Sequence, residues 1–264
     1  MFRYAFRLAL PVLFASLLPL TGFAAPENAL QIGTVKEING TATSYHAGTK
    51  VARSLQAEDV VFLGETVKTG QNSLVNIEFL DKTIFRVGAD SEVKLDQYVY
   101  DPISKGGEMK AKVTKGVFRL VTGLIAKQNP ENVEVDFPTG SMGIRGTDVL
   151  GSVGKNEILL VLYLSEDGAM THHSVVARNN VGGSIFEVEI GTPGMGSIIK
   201  KGKKPTEPFV VSEEMLSGME AQLGITNPFR KNAGAQKTEP AQPQKKSNKE
   251  KEEPVIFTRE MVKN

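Results

Sequence analysis

Apolar and polar residues alternate along most of the chain. Val75, Ile77 and Phe79 of LVNIEF fall on one face, as do Val93, Leu95 and Val99 of EVKLDQYVY and Val133, Val135 and Phe137 of VEVDF. A period of two is the signature of strands with one face buried. Turn residues recur at short intervals between these segments: Asn39-Gly40, Gly64, Gly70-Gln71-Asn72, Leu80-Asp81-Lys82, Gly88-Ala89-Asp90, Gly106-Gly107 and Gly123. The pattern predicts an all-β chain of many short strands.

Three segments refine that picture. QIGTVKEI and TATSYH flank Asn39-Gly40, whose residues accept the positive φ of a type I′ turn, so a hairpin is expected there. EILLVLYL, from Glu157 to Leu164, is apolar on both faces and reads as a strand buried from both sides, with Ser165 to Gly168 turning it back into AMTHHSVV. SEEMLSGMEAQLG breaks the period. Ser212 suits an N-cap, two acids follow, Leu216, Met219 and Leu223 recur at helical spacing, and Gly224 is a stop, which predicts one short C-terminal helix.

The two ends differ in composition. Residues 1–24 place Arg3 and Arg7 ahead of an apolar run, Leu8 to Leu20, then the small residues Gly22 and Ala24, which is the layout of a cleaved secretory signal. The run contains Pro11 and Pro19 and is shorter than the ~20 residues that span a bilayer. After Pro228 the chain is mostly Lys, Glu, Gln, Pro and Ala, too poor in apolar groups to offset the entropy of ordering, so 230–264 is expected to be a disordered basic tail. The tail carries +4 and the signal +2 of a chain total of +1, leaving 25–229 at −5. An acidic body gives no support to nucleic-acid binding, which calls for a basic face interleaved with aromatics. The chain has no cysteine, which excludes disulfides and thiolate chemistry in the periplasmic or secreted setting the signal implies.

Catalytic constellations are not evident. In FPTGSMGIRGTDVLGSV the glycines at 140, 143 and 146 fit neither a Walker loop nor a dinucleotide fingerprint, and GTPGMGS is no better. His172 and His173 are adjacent on a predicted strand, where successive side chains point to opposite faces and cannot share a metal ion. Glu58-Asp59 and Glu166-Asp167 read as solvated turn residues. No cofactor and no metal are expected, and the chain is not expected to be an enzyme. TGSMGIRGT is expected to turn the chain after Phe137 and to start the next strand at Asp148, with its glycines serving backbone conformation. Arg145 has two readings: it locks the turn through carbonyls or a carboxylate, or it faces outward to receive a partner's carboxylate or an anionic glycan. Arg145, Gly143, Gly146 and Thr147 are therefore the candidate binding or turn-locking residues.

GETVKTGQNSLVNIEFLDKTIFRVGADSEVKLDQYVYDP, then VTKGVFRLVTGLI, then VEVDFPTGSMGIRGTDV, resemble the FecR domain in order. The matching pieces are a Gly-(Asp/Glu)-x-Val-x-Thr-Gly turn at Gly64, Glu65, Val67, Thr69 and Gly70, an Asp-Gly-(Ser/Thr) turn at Asp81, Lys82 and Thr83, and a terminal Arg-Gly-Thr at Arg145, Gly146 and Thr147. Lys82 stands where the family usually has Gly. The resemblance implies a β-helix-like stack of short strands in an extracytoplasmic sensing or interaction module. It gives a FecR-like domain over 25–153 and a β extension with the short helix over 154–229. In the ferric citrate regulator that names the family, a membrane helix joins this domain to a cytoplasmic anti-sigma segment; here only seven residues precede the apolar run, so that segment and its mechanism are not expected.

The function expected on these grounds is a non-enzymatic FecR-type module that contacts an envelope component or an exported partner protein. The alternative is a structural envelope protein that attaches to peptidoglycan or an anionic surface; a glycan-acting enzyme comes third. Protein purified from its host should begin at Ala25, and N-terminal sequencing that found Met-Phe-Arg intact would overturn the signal reading.

Overall fold

The computed structural model describes residues 29–46, 51–146, 148–163 and 174–225; the signal, the tail, Glu166-Asp167 and His172-His173 lie outside the described residues. The chain runs through β1 (Gln31–Asn39), β2 (Ala42–His46), β3 (Arg53–Ser54), β4 (Val60–Phe62), β5 (Glu65–Thr69), β6 (Leu74–Phe79), β7 (Ile84–Val87), β8 (Glu92–Tyr100) and the long β9 (Gly107–Val121). A short helix, α1 (Leu124–Gln128), follows. Then come β10 (Val133–Phe137), β11 (Gly140–Arg145), β12 (Asp148–Val153), β13 (Glu157–Tyr163), β14 (Ser174–Val181), β15 (Ser184–Ile190), β16 (Met195–Lys200), β17 (Phe209–Val210) and finally α2 (Glu213–Leu223).

Among the described residues the strands form two layers. Sheet I has the order β4-β1-β6-β7-β9-β12-β13-β16-β17. Sheet II has the order β3-β2-β5-β8-β9-β10-β11-β14-β15. The main core lies between them, with Ile32, Val75, Ile77 and Phe85 from sheet I meeting Val67, Val93, Leu95 and Val113 from sheet II. The class is all-β with a C-terminal helix. Its stacking is that of bent antiparallel strands, not the parallel rungs of a β-helix; β9 with β10 is the one parallel pair among the described residues.

β9 belongs to both sheets. Its first part pairs in sheet II and its second part in sheet I, with Gly116 at the bend at φ 105°. Three two-strand units bend in the same way: β1 into β2, β5 into β6, and β7 into β8. The Asn39-Gly40 turn is therefore a corner, not a hairpin: β1 and β2 lie in different sheets and do not pair. Glycine is required there, because φ at Gly40 is 79° and a Cβ would stand 2.3 Å from Ser73 Oγ. β13 and β14 likewise lie in different sheets, so the hairpin expected between them is replaced by a crossover.

Two local departures have simple causes. A bulge between Leu95 and Gln97 shifts the register of β8 by one residue, so Tyr98 is buried and Val99, expected inside, is 59% exposed. GSMGIR is a strand, not a turn, with Met142 and Ile144 in the core; the chain reverses at Pro138-Thr139 and leaves sheet II at Gly146.

α2 follows its sequence signals. Ser212 Oγ accepts from the Met215 N–H at 3.3 Å, and Gly224 ends the helix at φ 60°. Leu216, Met219 and Leu223 pack on Val117, Leu150, Leu159, Val161 and Tyr163, on the outer face of sheet I. That covering explains the double-sided apolarity of β13, whose Ile158, Leu160 and Leu162 face the main core while Leu159, Val161 and Tyr163 face the helix. The junction at 153/154 expected to separate two domains falls in the turn between β12 and β13, which pair along their whole length.

Gly116→Ala should be strongly destabilising, because φ of 105° disfavours a side chain and the Cβ would stand 1.9 Å from Ser91 Oγ and 2.5 Å from Ser91 Cα. Strain and overpacking together should lower stability by about 2 kcal/mol or more. Gly182→Ala, at φ 61° in open space, should cost about 1 kcal/mol; equal melting points for the two variants would contradict the corner geometry.

Candidate binding surface

Glu65, the acid of the first sequence motif, is 1% exposed and points inward. It accepts from Ser44 Oγ at 3.1 Å, the Phe62 N–H at 3.0 Å and the Arg53 guanidinium at 3.1–3.2 Å. Arg53 also donates to the Val60 carbonyl at 2.6 Å and pairs with Asp59 at 3.5 Å. Glu65 thus ties three strands and the 51–60 loop together. Asp59, expected to be a solvated turn residue, joins that cluster and accepts from the Gln56 N–H. Thr69, from the same motif, donates to the Gly88 carbonyl at 2.6 Å and accepts from the Ser91 N–H, joining two corners.

Asp81, from the second motif, is fully buried. It accepts from the Thr83 hydroxyl at 2.7 Å, the Thr83 N–H, the Tyr98 hydroxyl at 3.1 Å and the Ile125 N–H. One carboxylate therefore fixes the β6–β7 turn, β8 and the start of α1. Lys82 takes φ 71°, so the conformation that the usual Gly would supply is kept despite the substitution. Burial first, and then the Asp81 carboxylate, push the Tyr98 phenol far above the ordinary tyrosine value.

A third buried cluster lies under α2. Arg119 grips Asp148 with two nitrogens, at 3.0 and 2.6 Å, and lies over the Tyr163 ring. Tyr163 donates to buried Glu220 at 2.8 Å. Burial, followed by this hydrogen bond to Glu220, raises the Tyr163 phenol well above its ordinary value. Arg86 donates to the Leu223 and Gly224 carbonyls at the end of α2, where a cation also suits the helix dipole.

The described surface of sheet II carries a set of ion pairs. On the outer face of sheet II, Lys68 pairs with Glu92 at 3.1 Å, Lys110 with Glu134 and Asp136 at 3.0 and 3.3 Å, and Arg178 with Glu187 at 2.7 Å. The hydrogen bond that Lys110 donates to Glu134 is the main cause of its raised pKa. Arg145 ends β11 on this face, 49% exposed, with Glu189 at 3.9 Å. An exposed pair at that distance contributes about 0–1 kcal/mol, less than a buried lock would. Gly143 makes room for a neighbour, since a Cβ there would stand 2.5 Å from the Arg178 guanidinium. Gly146 has φ 55° in open space and serves the crossover to sheet I; Thr147 lies outside the described residues. Among the described residues no group of three or more His, Asp or Glu is placed to hold a metal, and no helix is long and apolar enough to cross a membrane.

Residues 65–165, from the buried Glu65 through β13, match the model of the family described as FecR protein. That span is similar to the FecR domain. The matched span holds the corners at Gly70, Gly88 and Gly116 and the clusters around Asp81 and Asp148, whereas β14 to β17 and α2 lie beyond it. Two crystal structures of a provisionally assigned anti-sigma factor from Parabacteroides distasonis are similar to this chain at 8% identity and a TM-score of 0.40, over 58% of this chain and 62% of theirs. The chain thus spans less than two thirds of the length of those structures. No curated protein matches the sequence.

The two shielded phenols of the matched span set its alkaline limit. A phenol with a raised folded pKa contributes stability that is complete below the unfolded value of about 10 and is lost as pH rises above it. Denaturant midpoints should therefore fall above pH ~10, with a slope of up to about 1.4 kcal/mol per pH unit for each phenol. Tyr98→Phe and Tyr163→Phe should each flatten that slope; an unchanged slope in the double variant would refute the assignment.

Proposed function

We propose that this protein is an extracytoplasmic, non-enzymatic FecR-type module that acts by binding an exported partner protein or an envelope component on the outer face of sheet II. The observation that carries this reading is the unequal covering of the two sheets. α2 lies over the outer face of sheet I, whereas no described helix lies across that of sheet II, where Lys110, Glu134, Asp136 and Arg145 are between a third and a half exposed. The buried carboxylates Glu65, Asp81, Asp148 and Glu220 are all engaged by internal partners. The regulatory character of the FecR family supports a binding role over a catalytic one, and the signal-like N-terminus supports the compartment.

Arg145 is the residue to test. Arg145→Ala should change stability by no more than about 0.5 kcal/mol, the usual range for an exposed substitution. Pull-down from periplasmic extract with the purified protein should capture one envelope protein or component, and Arg145→Ala should lose it. Capture unchanged by the substitution would overturn the placement of the site. Salt-sensitive retention on isolated sacculi that disappears on deleting 231–264 would replace the reading with structural attachment.

A further inference from the structure

We propose that the free edge of β15 is a strand-addition site for an extended segment of an exported protein in which Lys or Arg alternates with apolar residues. The inference deepens the binding reading above and rests on it only in assigning the partner to sheet II.

The other edges are protected by their length or by a loop. β3 and β17 are two residues long and β4 is three. Past its short pairing with β17, β16 is covered by Thr206, which donates its N–H to the Ile198 carbonyl, accepts from the Ile198 N–H at 3.0 Å and accepts from Ser197 Oγ at 2.7 Å. β15 differs. It is seven residues long, reads SIFEVEI, and pairs only with β14 among the described residues. Alternate backbone N–H and C=O groups along its other side meet no strand among the described residues. A long exposed edge rich in β-branched and aromatic residues is a template for pairing that folded proteins ordinarily blunt with lysine, proline or brevity. This edge has no Lys and no Pro.

Charge decides which strand fits. Ile185, Glu187 and Glu189 line the outward side of β15, with Ile185 69% exposed. On their inner flank the two acids are paired, Glu187 with Arg178 and Glu189 with Arg145. They are nonetheless 54% and 56% exposed, so each retains an open side toward the vacant strand position. At Glu187 the order is positive on β14, at Arg178, then negative on β15, and the next strand continues it if it is basic; Glu189 lies opposite Val176 and is reached by Arg145 from β11. On the opposite side of β15, Phe186, with Lys204 Nζ 4.0 Å from its ring centroid, and Val188 are half-buried, and Val188 calls for an apolar residue between the basic ones. A second copy of β15 is disfavoured in the registers of longest overlap. Antiparallel self-pairing centred on Glu187 sets Glu187 against Glu187 and Ile185 against Glu189, and centring on Val188 sets Glu187 against Glu189; like charges directly opposed are destabilising.

The test uses the whole protein, a short capped peptide alternating lysine and valine, and a control alternating glutamate and valine. The lysine peptide should bind, and hydrogen exchange should slow along β15. Glu187→Lys/Glu189→Lys, checked by melting for intact folding, should weaken the lysine peptide about tenfold or more and favour the glutamate peptide, as reversing two cross-strand pairs requires. Lysine peptides N-methylated at alternate residues, in the two possible phases, separate strand pairing from charge attraction: one phase should lose binding and the other keep it. Equal binding of both peptides, indifference to charge reversal, equal effects of the two N-methylated phases, or protection confined to other strands would each overturn the proposal, as would dimerisation through β15. Failure here alongside partner capture that still depends on Arg145 would leave the binding reading standing.

Discussion

Everything in this molecule depends on a row of corners at which bent strands pass from one sheet to the other. Four bent units meet there, and serine hydroxyls and backbone carbonyls join them where the strand ladders are interrupted. The Thr41 N–H donates to Ser73 Oγ, the Gly70 N–H to the Thr41 carbonyl, the Asp90 N–H to the Gly70 carbonyl, and the Val117 N–H to Ser91 Oγ. Corner backbone is buried between neighbours, so each N–H needs an internal acceptor. The glycines follow from the same crowding: at Gly40 and Gly116 a Cβ would collide with the very Ser73 or Ser91 hydroxyl that accepts those hydrogen bonds, and at Gly70 with the Thr41 hydroxyl. The sandwich therefore stacks by repeating one junction, and the Thr-Gly of the first FecR motif is part of that junction.

The acids of the FecR motifs have a related role. A buried carboxylate is tolerable only when donors surround it, and Glu65 and Asp81 each collect several from separate elements. Such a cluster is strong evidence for a fixed local geometry and weak evidence for net stability, since desolvation offsets much of the attraction. At both sites the carboxylate is used up by internal donors.

Strand alternation and the helix signals were legible in the sequence because burial on one face imposes its period directly: Val75, Ile77 and Phe79, and Leu216, Met219 and Leu223, are inside as their spacing requires. What was not legible is pairing. A glycine at positive φ serves a hairpin and a corner equally well, so Asn39-Gly40 could not reveal that its two strands join different sheets. The bulge in β8 is invisible to a strict period of two, which places Val99 inside and Tyr98 outside. The signal that β11 is a strand was present: Met142 and Ile144 alternate with Ser141, Gly143 and Arg145, and three glycines in seven residues obscured it. Arg145 was legible as the singular charge of its segment; its exposure follows from falling on the outward phase of that alternation.

The elements beyond the family match are fitted to those within it. α2 sits outside residues 65–165, yet its anchors do not: Arg86 binds its last carbonyls, and Tyr163 holds Glu220. Val117, Leu150 and Leu159, also inside the matched span, form the apolar floor on which it lies. Sheet I is apolar on two faces because a helix was to cover it. The outer face of sheet II instead carries charged pairs between neighbouring strands, Lys68 with Glu92, Lys110 with Glu134, and Arg178 with Glu187. Extending the same two sheets by β14, β15 and β16 thus had opposite consequences. In sheet I the added strand is closed off by a loop and a short partner, while sheet II ends on two glutamates at an edge that pairs with no further strand among the described residues. A surface built by pairing each strand's charges with the next is complete only when its last strand is paired as well.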